Sequence, residues 1–371
     1  MRETSNAIHS GSRESVNLVT EPVGEDCELS IIICTHNRPQ YVKELIGILQ
    51  PQIADSPVEV IVADSASNVE AARQLREMTA NVPQIKLIRI DVPGVSGARN
   101  AGLRAAKADW IAYLDDDEIP PSGWVSELRQ LAARLPPECA ACGGNVLPVF
   151  PPGMARKLSW RWLAYLSMVD LEGEFDETEA PTFLIGHSLV RGQVLHDIGG
   201  FDLRLGRDDN TLLGGEEVLL VRQLAARGWR IWHSSRIVVG HRIPEERLKR
   251  EWVRKRAFWE GVTTVKVLSI QSPDEICRLV SHTAFKMPVL GALTAIFGNF
   301  LDADLRLAFL QGTEFARRQM AGKGEAAGRI AVMCEKISAR IPPDALASLD
   351  SSADRTFLSP GIESPESEPR L

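Results

Sequence analysis

What is scarce in this chain narrows its class before any motif is read. No apolar run reaches the roughly 20 residues that a helix needs to cross a bilayer. The longest, Met287 to Leu301, is interrupted by Pro288, Gly291 and Gly298, so a full transmembrane span is not expected. The run reads as a buried helical hairpin or, with Lys286 before it and Arg306 after it, as an element resting on a membrane surface. Cysteine is too sparse for a small disulfide-stapled fold: six in 371 residues, at positions 27, 34, 139, 142, 277 and 334. A reducing, cytoplasmic setting fits best. Excess positive charge is missing too, since 42 Lys and Arg stand against 49 Asp and Glu for a net charge of -7. Such a field repels phosphate backbones, which excludes nucleic acid as the main partner. Residues 1–28 have no apolar core of the kind a secretory signal carries, and residues 342–371 are dominated by Ser, Pro, Asp and Glu. Both are expected to be disordered tails, because they cannot bury enough apolar area to offset the entropy of ordering.

What is present begins with four short apolar runs, at Leu29–Cys34, Val58–Ala63, Ile85–Ile90 and Trp110–Leu114. Continuous apolar runs of this length suit strands buried on both faces. Between the first two, Pro39 opens a segment to Gln50 in which Val42, Leu45, Ile46 and Leu49 fall at helical spacing. Further helices are predicted over Asn68–Ala80, after the glycines of the Gly94–Gly102 segment to about Ala106, and over Ser122–Leu135. Strands alternating with helices imply βαβ units and a mainly parallel sheet with right-handed crossovers. Regularity loosens after residue 120, where the helix near Ser122–Leu135 is followed by Pro136-Pro137, Gly143-Gly144 and prolines 148, 151 and 152. Two more strands are predicted at Phe183–Val190 and Arg230–Val239, with a helix between them that starts near Gly214-Gly215-Glu216-Glu217 and stops at Gly228.

Ligands of an open α/β sheet bind beyond the carboxyl ends of its strands. Here those ends are polar: Thr35-His36-Asn37-Arg38 after the first run, Asp64-Ser65-Ala66-Ser67 after the second, Asp115-Asp116-Asp117-Glu118 after the fourth. Four consecutive carboxylates after a buried strand repel one another unless something positive is present, and a divalent cation supplies that charge. Magnesium and manganese take one or two protein carboxylates plus substrate phosphate oxygens, so Asp117 reads as a direct ligand and Asp115 as facing the nucleotide or a metal-bound water. The alternative is a solvated acidic turn capping the helix at Ser122. Asp64 suits a ribose or a base N–H. Gly94 to Gly102 is not a G-x-G-x-x-G fingerprint and follows the third strand, which argues against a dinucleotide cofactor. Arg99 and Asn100 in that segment either contact phosphate or base, or tie the loop down. Cys139-Ala-Ala-Cys142 is half a zinc motif with no second half, and its cysteines are expected in a strand.

Taken in order, Thr35-His36-Asn37-Arg38, Asp64-Ser65-Ala66-Ser67, Gly97-Ala98-Arg99-Asn100-Ala101-Gly102, Leu114-Asp115-Asp116-Asp117 and Gly215-Glu216-Glu217 resemble a family 2 glycosyltransferase of the GT-A fold. Gly240-His241-Arg242-Ile243-Pro244 and Trp252 to Gly261 are similar to bacterial members that build extracellular polysaccharide. The resemblance implies a Rossmann-like nucleotide-binding half at 29–120, an acceptor half at 121–260 and a helical extension at 261–341. It also implies a nucleotide-sugar donor, Mn2+ or Mg2+ held by a D-x-D motif, and a carboxylate base that activates an acceptor hydroxyl of a glycan or lipid-linked saccharide. Carried over by position, Thr35, Asn37, Arg38, Asp64, Arg99, Asn100, Asp115 and Asp116 form the donor-binding set. Asp115 and Asp117 take the D-x-D places, and His241 approaches the metal or diphosphate. The family usually has Glu-Asp where this chain has Glu216-Glu217, so Glu217 takes the place of the base and Glu216 that of an orienting or acceptor-binding group. Alternatively, both carboxylates serve the positive end of their helix.

The implied reaction is a metal-dependent, inverting sugar transfer in bacterial polysaccharide assembly. A GT-A-like nucleotidyltransferase and a catalytically silent scaffold are the alternatives. Arg242, Arg247, Lys249, Arg250, Arg254, Lys255 and Arg256 make a local basic run in an acidic chain, suited to a lipid-linked diphosphate or to peripheral contact at the inner face of a membrane, or simply to a solvated helix face.

Overall fold

The computed structural model describes residues 27–271, apart from 81, 155–157, 159, 180, 209 and 210, together with 305, 308–313, 315 and 316. The expected N-terminal tail to residue 26, most of the helical extension, the 287–301 run and the C-terminal tail lie outside the described residues. Two compact units divide at Thr211/Leu212, Gly215/Glu216 and Pro244/Glu245.

The larger unit is a twisted sheet with helices on both faces. Its first half runs β1 (Leu29–Thr35), α1 (Pro39–Ile53), β2 (Val58–Ser65), α2 (Val69–Thr79), β3 (Ile85–Ile90), α3 (Val95–Ala105) and β4 (Trp110–Asp115). β3, β2, β1 and β4 lie side by side in that order and all in parallel. Side chains alternate between faces along a strand, so one apolar run feeds two cores. Leu29, Ile31 and Ile33 join Val42, Leu45 and Leu49 of α1 on one side, while Ile32 joins Ala98, Ala101 and Leu103 of α3 on the other. Asn68 caps α2 by accepting from the Ala71 N–H at 2.9 Å.

The second half adds β5 (Glu118–Ile119), α4 (Trp124–Arg134), β6 (Cys139–Val149), α5 (Trp160–Tyr165), β7 (Glu174–Asp176), β8 (His187–Arg191), α6 (Gly192–Asp197), α7 (Glu216–Ala226) and β9 (Arg230–Arg242). The sheet continues from β4 through β8, β6 and β9 to β5, with β7 on the flank of β9. β8 runs antiparallel to both neighbours, so the sheet is parallel through its first four strands and mixed beyond. Gly228, at a φ of +81°, ends α7 as predicted.

Three features differ from the sequence reading. Gly143-Gly144, placed in the sequence where regularity loosens, lies inside the eleven-residue β6, which also carries Cys139 and Cys142 as expected. A Cβ on Gly144 would overlap the Ile237 carbonyl and the His187 ring, so glycine marks the closest approach of β6, β8 and β9. The strand predicted over 183–190 begins only at His187, and its first residues form a loop against the end of β4. The unit boundary falls at Pro244/Glu245 rather than 260/261, because α8 (Arg250–Gln271) runs unbroken across the latter.

The smaller unit contains a 3-10 turn at Glu245–Leu248, α8, and Leu213, Val262, Val265 and Ala316 in one apolar cluster. Gly261 and Gly312 each face the other segment's backbone, so the two helical segments pack closely. Among the described residues no helix is long and apolar enough to cross a membrane.

In the larger unit, a Cβ on Gly102 of α3 would stand 2.5 Å from Ile32 Cγ2. Gly102→Ala is expected to destabilise the protein despite alanine's better helix propensity, since overpacking costs about 1–3 kcal/mol. Urea denaturation measures it.

Candidate active site

Parallel register brings the polar strand ends to one edge of the sheet. Thr35 is level with Asp64, and Cys34 with Asp115. The tight pairing of β5 with β9 sets Glu118 opposite His241, which carries the end of the chain's longest strand to the acidic turn.

The four acidic residues of that turn have different surroundings. Asp116 is buried and held by Thr35 Oγ1 and Arg38 Nη1, each donating at 2.8 Å. Burial outweighs the nearby Arg38 charge and pushes its carboxyl up to about 7. Asp117, also buried, accepts from Arg38 at 3.2 Å. Glu118 is the most enclosed in chemical effect, its carboxyl raised well above the usual range by burial. Asp115 is the outlier, with a side chain 43% exposed and directed to Arg99 Nη2 at 3.2 Å.

Asp64 is buried and fully engaged: Oδ1 accepts the Ser67 N–H at 2.9 Å, and Oδ2 accepts from Arg89. Asn37, at a φ of +56°, accepts the Asn68 N–H on its side-chain oxygen at 2.8 Å, joining the first two strand ends. Asparagine tolerates this left-handed backbone better than most residues. Asn100 spends both ends of its amide on one partner, donating to the Phe201 carbonyl at 2.8 Å and accepting the Phe201 N–H at 2.7 Å. These two bonds tie α3 to the segment at Phe201.

Glu216 and Glu217 open α7. Glu216 accepts from Arg99 Nη1 at 2.8 Å, both side chains being buried. Glu217 accepts the Ile185 N–H at 3.2 Å, and burial together with the adjacent Glu216 charge pushes it up to about 7. The 184–186 loop thus touches both acidic groups, for the Asp115 N–H donates to the Gly186 carbonyl at 2.9 Å. A Cβ on Gly186 would overlap the Asp115 carboxylate, so a side chain here would displace that carboxylate.

Asp115, Asp117 and His241 were read as metal ligands. His241 Nδ1 donates to the Leu166 carbonyl at 3.0 Å, and its Nε2 lies 3.7 Å from Asp117 Oδ1. A backbone carbonyl fixing the far nitrogen is the usual support of a metal-binding histidine. Among the described residues no three His, Cys, Asp or Glu side chains form a closed cage. The donor set instead fits a cation held by one or two carboxylates and completed by substrate oxygens.

The sequence reading passed over two participants and the surroundings of a third. The 184–186 loop was hidden because its apolar residues read as strand. Arg89 lay outside the motifs, and Arg242, named in the sequence only as part of a basic run and of the Gly240–Pro244 motif, pairs with Glu44 and packs 5.1 Å from the Tyr41 ring. Only the strand pairings bring them in.

A nucleotide-type sheet edge bearing an acidic turn and a second pair of carboxylates suits a glycosyltransferase. Residues 30–177 match the model described as Glycosyl transferase family 2, so the chain carries a family 2 glycosyltransferase domain over these residues. Among similar proteins, the glucosyl-dolichyl phosphate glucuronosyltransferase of Haloferax volcanii is 25% identical over 255 residues, 67% of this chain and 79% of its own. The succinoglycan biosynthesis protein ExoM of Rhizobium meliloti is 26% identical over 255 residues, 66% of this chain and 76% of its own. The pre-mycofactocin glycosyltransferase of Mycobacterium tuberculosis is 29% identical over 236 residues, 60% of this chain and 45% of its own, so the match spans under half of that relative.

Asn100→Ala would strand the N–H and carbonyl of Phe201, a residue only 3% exposed. A stability loss of about 1–3 kcal/mol is expected, measured by chemical denaturation.

Proposed function

We propose that this glycosyltransferase transfers a sugar from a nucleoside diphosphate to a glycan or lipid-linked saccharide, with inversion and with a divalent cation, in bacterial polysaccharide assembly. The observation that carries the reading is the meeting of two acidic groups around the 184–186 loop: the exposed Asp115, and Glu217, raised by burial. One suits a donor complex and the other a base working near neutral pH.

In this reading Thr35 and Arg38 hold Asp116 and Asp117 in place, and Asp64 faces the base or ribose of the donor. Asp117 and His241, with Asp115 at the metal's edge, would hold Mn2+ or Mg2+, which neutralises charge on the departing diphosphate when bound. Glu217 takes the proton of the acceptor hydroxyl as that oxygen attacks the anomeric carbon opposite the leaving group. Its pairing with the Ile185 N–H fixes the carboxylate's direction, which matters because glutamate reaches one carbon further than the aspartate usual in this family. The names of the polysaccharide-building and dolichyl-phosphate relatives support an acceptor of saccharide or lipid-linked type. Lys249, Arg250, Arg254 and Lys255 are exposed near the start of α8, which suits an anionic lipid surface or acceptor diphosphate.

UDP-, GDP- and dTDP-linked sugars should be screened by thermal shift with Mn2+ and with EDTA. One donor is expected to stabilise the wild type only with metal, and Asp117→Ala to lose that shift. No shift with any donor would favour the silent scaffold instead.

Glu217 must be ionised to act as base, so kcat/KM for the matching donor is expected to fall about tenfold per pH unit below about 7 and to level off above it. Glu217→Gln should lower kcat by about 10²–10⁴ and abolish this acid limb. Asp117→Ala is expected to lower turnover at least as much, because electrostatic stabilisation is usually the larger contribution.

A further inference from the structure

We propose that Arg99 is a positioning residue that locks the acidic turn after β4 to the base-bearing end of α7, and not a ligand of the donor phosphates. This rests on the reading of Glu217 as base. Arg99 lies in α3, and its side chain is only 5% exposed. Its two terminal nitrogens go to carboxylates from distant parts of the chain: Nη1 to Glu216 at 2.8 Å and Nη2 to Asp115 at 3.2 Å. The planar guanidinium presents donors in a fixed fork, so holding both partners sets their separation as well as their charge.

The remaining contacts of this side chain keep it there. Its guanidinium carbon stands 5.8 Å from the centroid of the Phe201 ring. Phe201 is itself clamped by Asn100, the next residue of α3, and meets the Tyr113 ring edge-on at 5.4 Å. A cation so enclosed and already bonded to two carboxylates has little capacity left for a phosphate. It has, however, direct leverage on the reaction. Glu216 precedes Glu217, and the Ile185–Gly186 segment links Glu217 to Asp115 on the other side. Arg99, Asp115, the 184–186 loop and the start of α7 therefore close a ring, in which the arginine is the one positive member named. Its charge also lowers the proton affinity of Glu217 against the effect of burial.

The test uses the full chain with Arg99→Lys, Arg99→Met and the double variant Arg99→Met/Glu216→Gln. Binding of UDP, GDP and dTDP with Mn2+ is measured by calorimetry, and turnover on the nucleotide sugars of the same bases is followed against pH. If Arg99 positions, the lysine variant binds its nucleoside diphosphate within about threefold of wild type while kcat falls about 10–100-fold, since the cation remains but the fork is lost. In the methionine variant the acid limb of kcat/KM moves above its position near 7. The double variant removes the uncompensated carboxylate and recovers melting temperature without recovering kcat.

Two results would overturn the proposal. One is a nucleoside diphosphate affinity weakened tenfold or more with the acid limb unmoved, which would make Arg99 a donor ligand. The other is full turnover in the double variant, which would make it a packing pair only. If the methionine variant does not fold, the lysine variant decides by the same contrast of affinity with kcat. Should wild type turn over no donor, the glycosyltransferase reading fails first, and amide hydrogen exchange judges the lock separately. Arg99→Lys then raises exchange together at 115–118 and 216–219, and a rise confined to α3 refutes it.

Discussion

Charge compensation at one edge of the sheet is the constraint on which the rest of this molecule turns. Parallel strands end with their carboxyl ends together, and the chain loads those ends with carboxylates: Asp64, then Asp115 to Glu118, then Glu216 and Glu217 on the helix that arrives from the second half. Carboxylates in such proximity are costly to bury unless cations or protons answer them. The protein uses both. Arg38 faces Asp116 and Asp117, Arg89 faces Asp64, and Arg99 faces Asp115 and Glu216. Where the arginines do not suffice, burial raises the carboxyl, as at Asp116, Glu118 and Glu217.

Each arginine comes from a different element, and this ties the architecture to the chemistry. Arg38 precedes α1, Arg89 lies on β3 and Arg99 on α3. The two apolar cores on either side of the sheet hold those elements at the distances that the ion pairs require. Gly102 against Ile32 and Gly144 against the Ile237 carbonyl show the tolerance: at both positions a single methyl group meets neighbouring atoms within 2.5 Å. The geometry of this edge is thus inherited from core packing, since α3 can offer Arg99 to two carboxylates only while Gly102, on the same side of the helix, is seated against the sheet.

Much of this was legible from local pattern. The four buried strands of the first half, the helices between them and the glycine stop of α7 follow from apolar period and end signals, because a strand buried on both faces leaves little ambiguity. The acidic turn and the polar strand ends were legible as a group, since the rule that ligands sit beyond the carboxyl ends needs only strand order. The second half was less readable. Gly143-Gly144 has the composition of a turn but lies in a strand, and Phe183 to Gly186 has the composition of a strand but forms the loop beside the site. In both cases a close tertiary approach overrides propensity.

The sequence by itself determined the class of chemistry: which acidic, basic and glycine residues exist, in what order, and on which side of which apolar run. That suffices because residue order along βαβ units dictates where strand ends fall. Tertiary structure alone decided how the acids divide their tasks. Asp115 stands exposed while Asp116 and Asp117 turn inward to Arg38, Asn100 closes on Phe201, and Arg99 joins residues 16 and 117 positions away. Proton affinity and ion-pair choice depend on burial and on distances of a few ångströms between residues remote in the chain, and no local pattern encodes either.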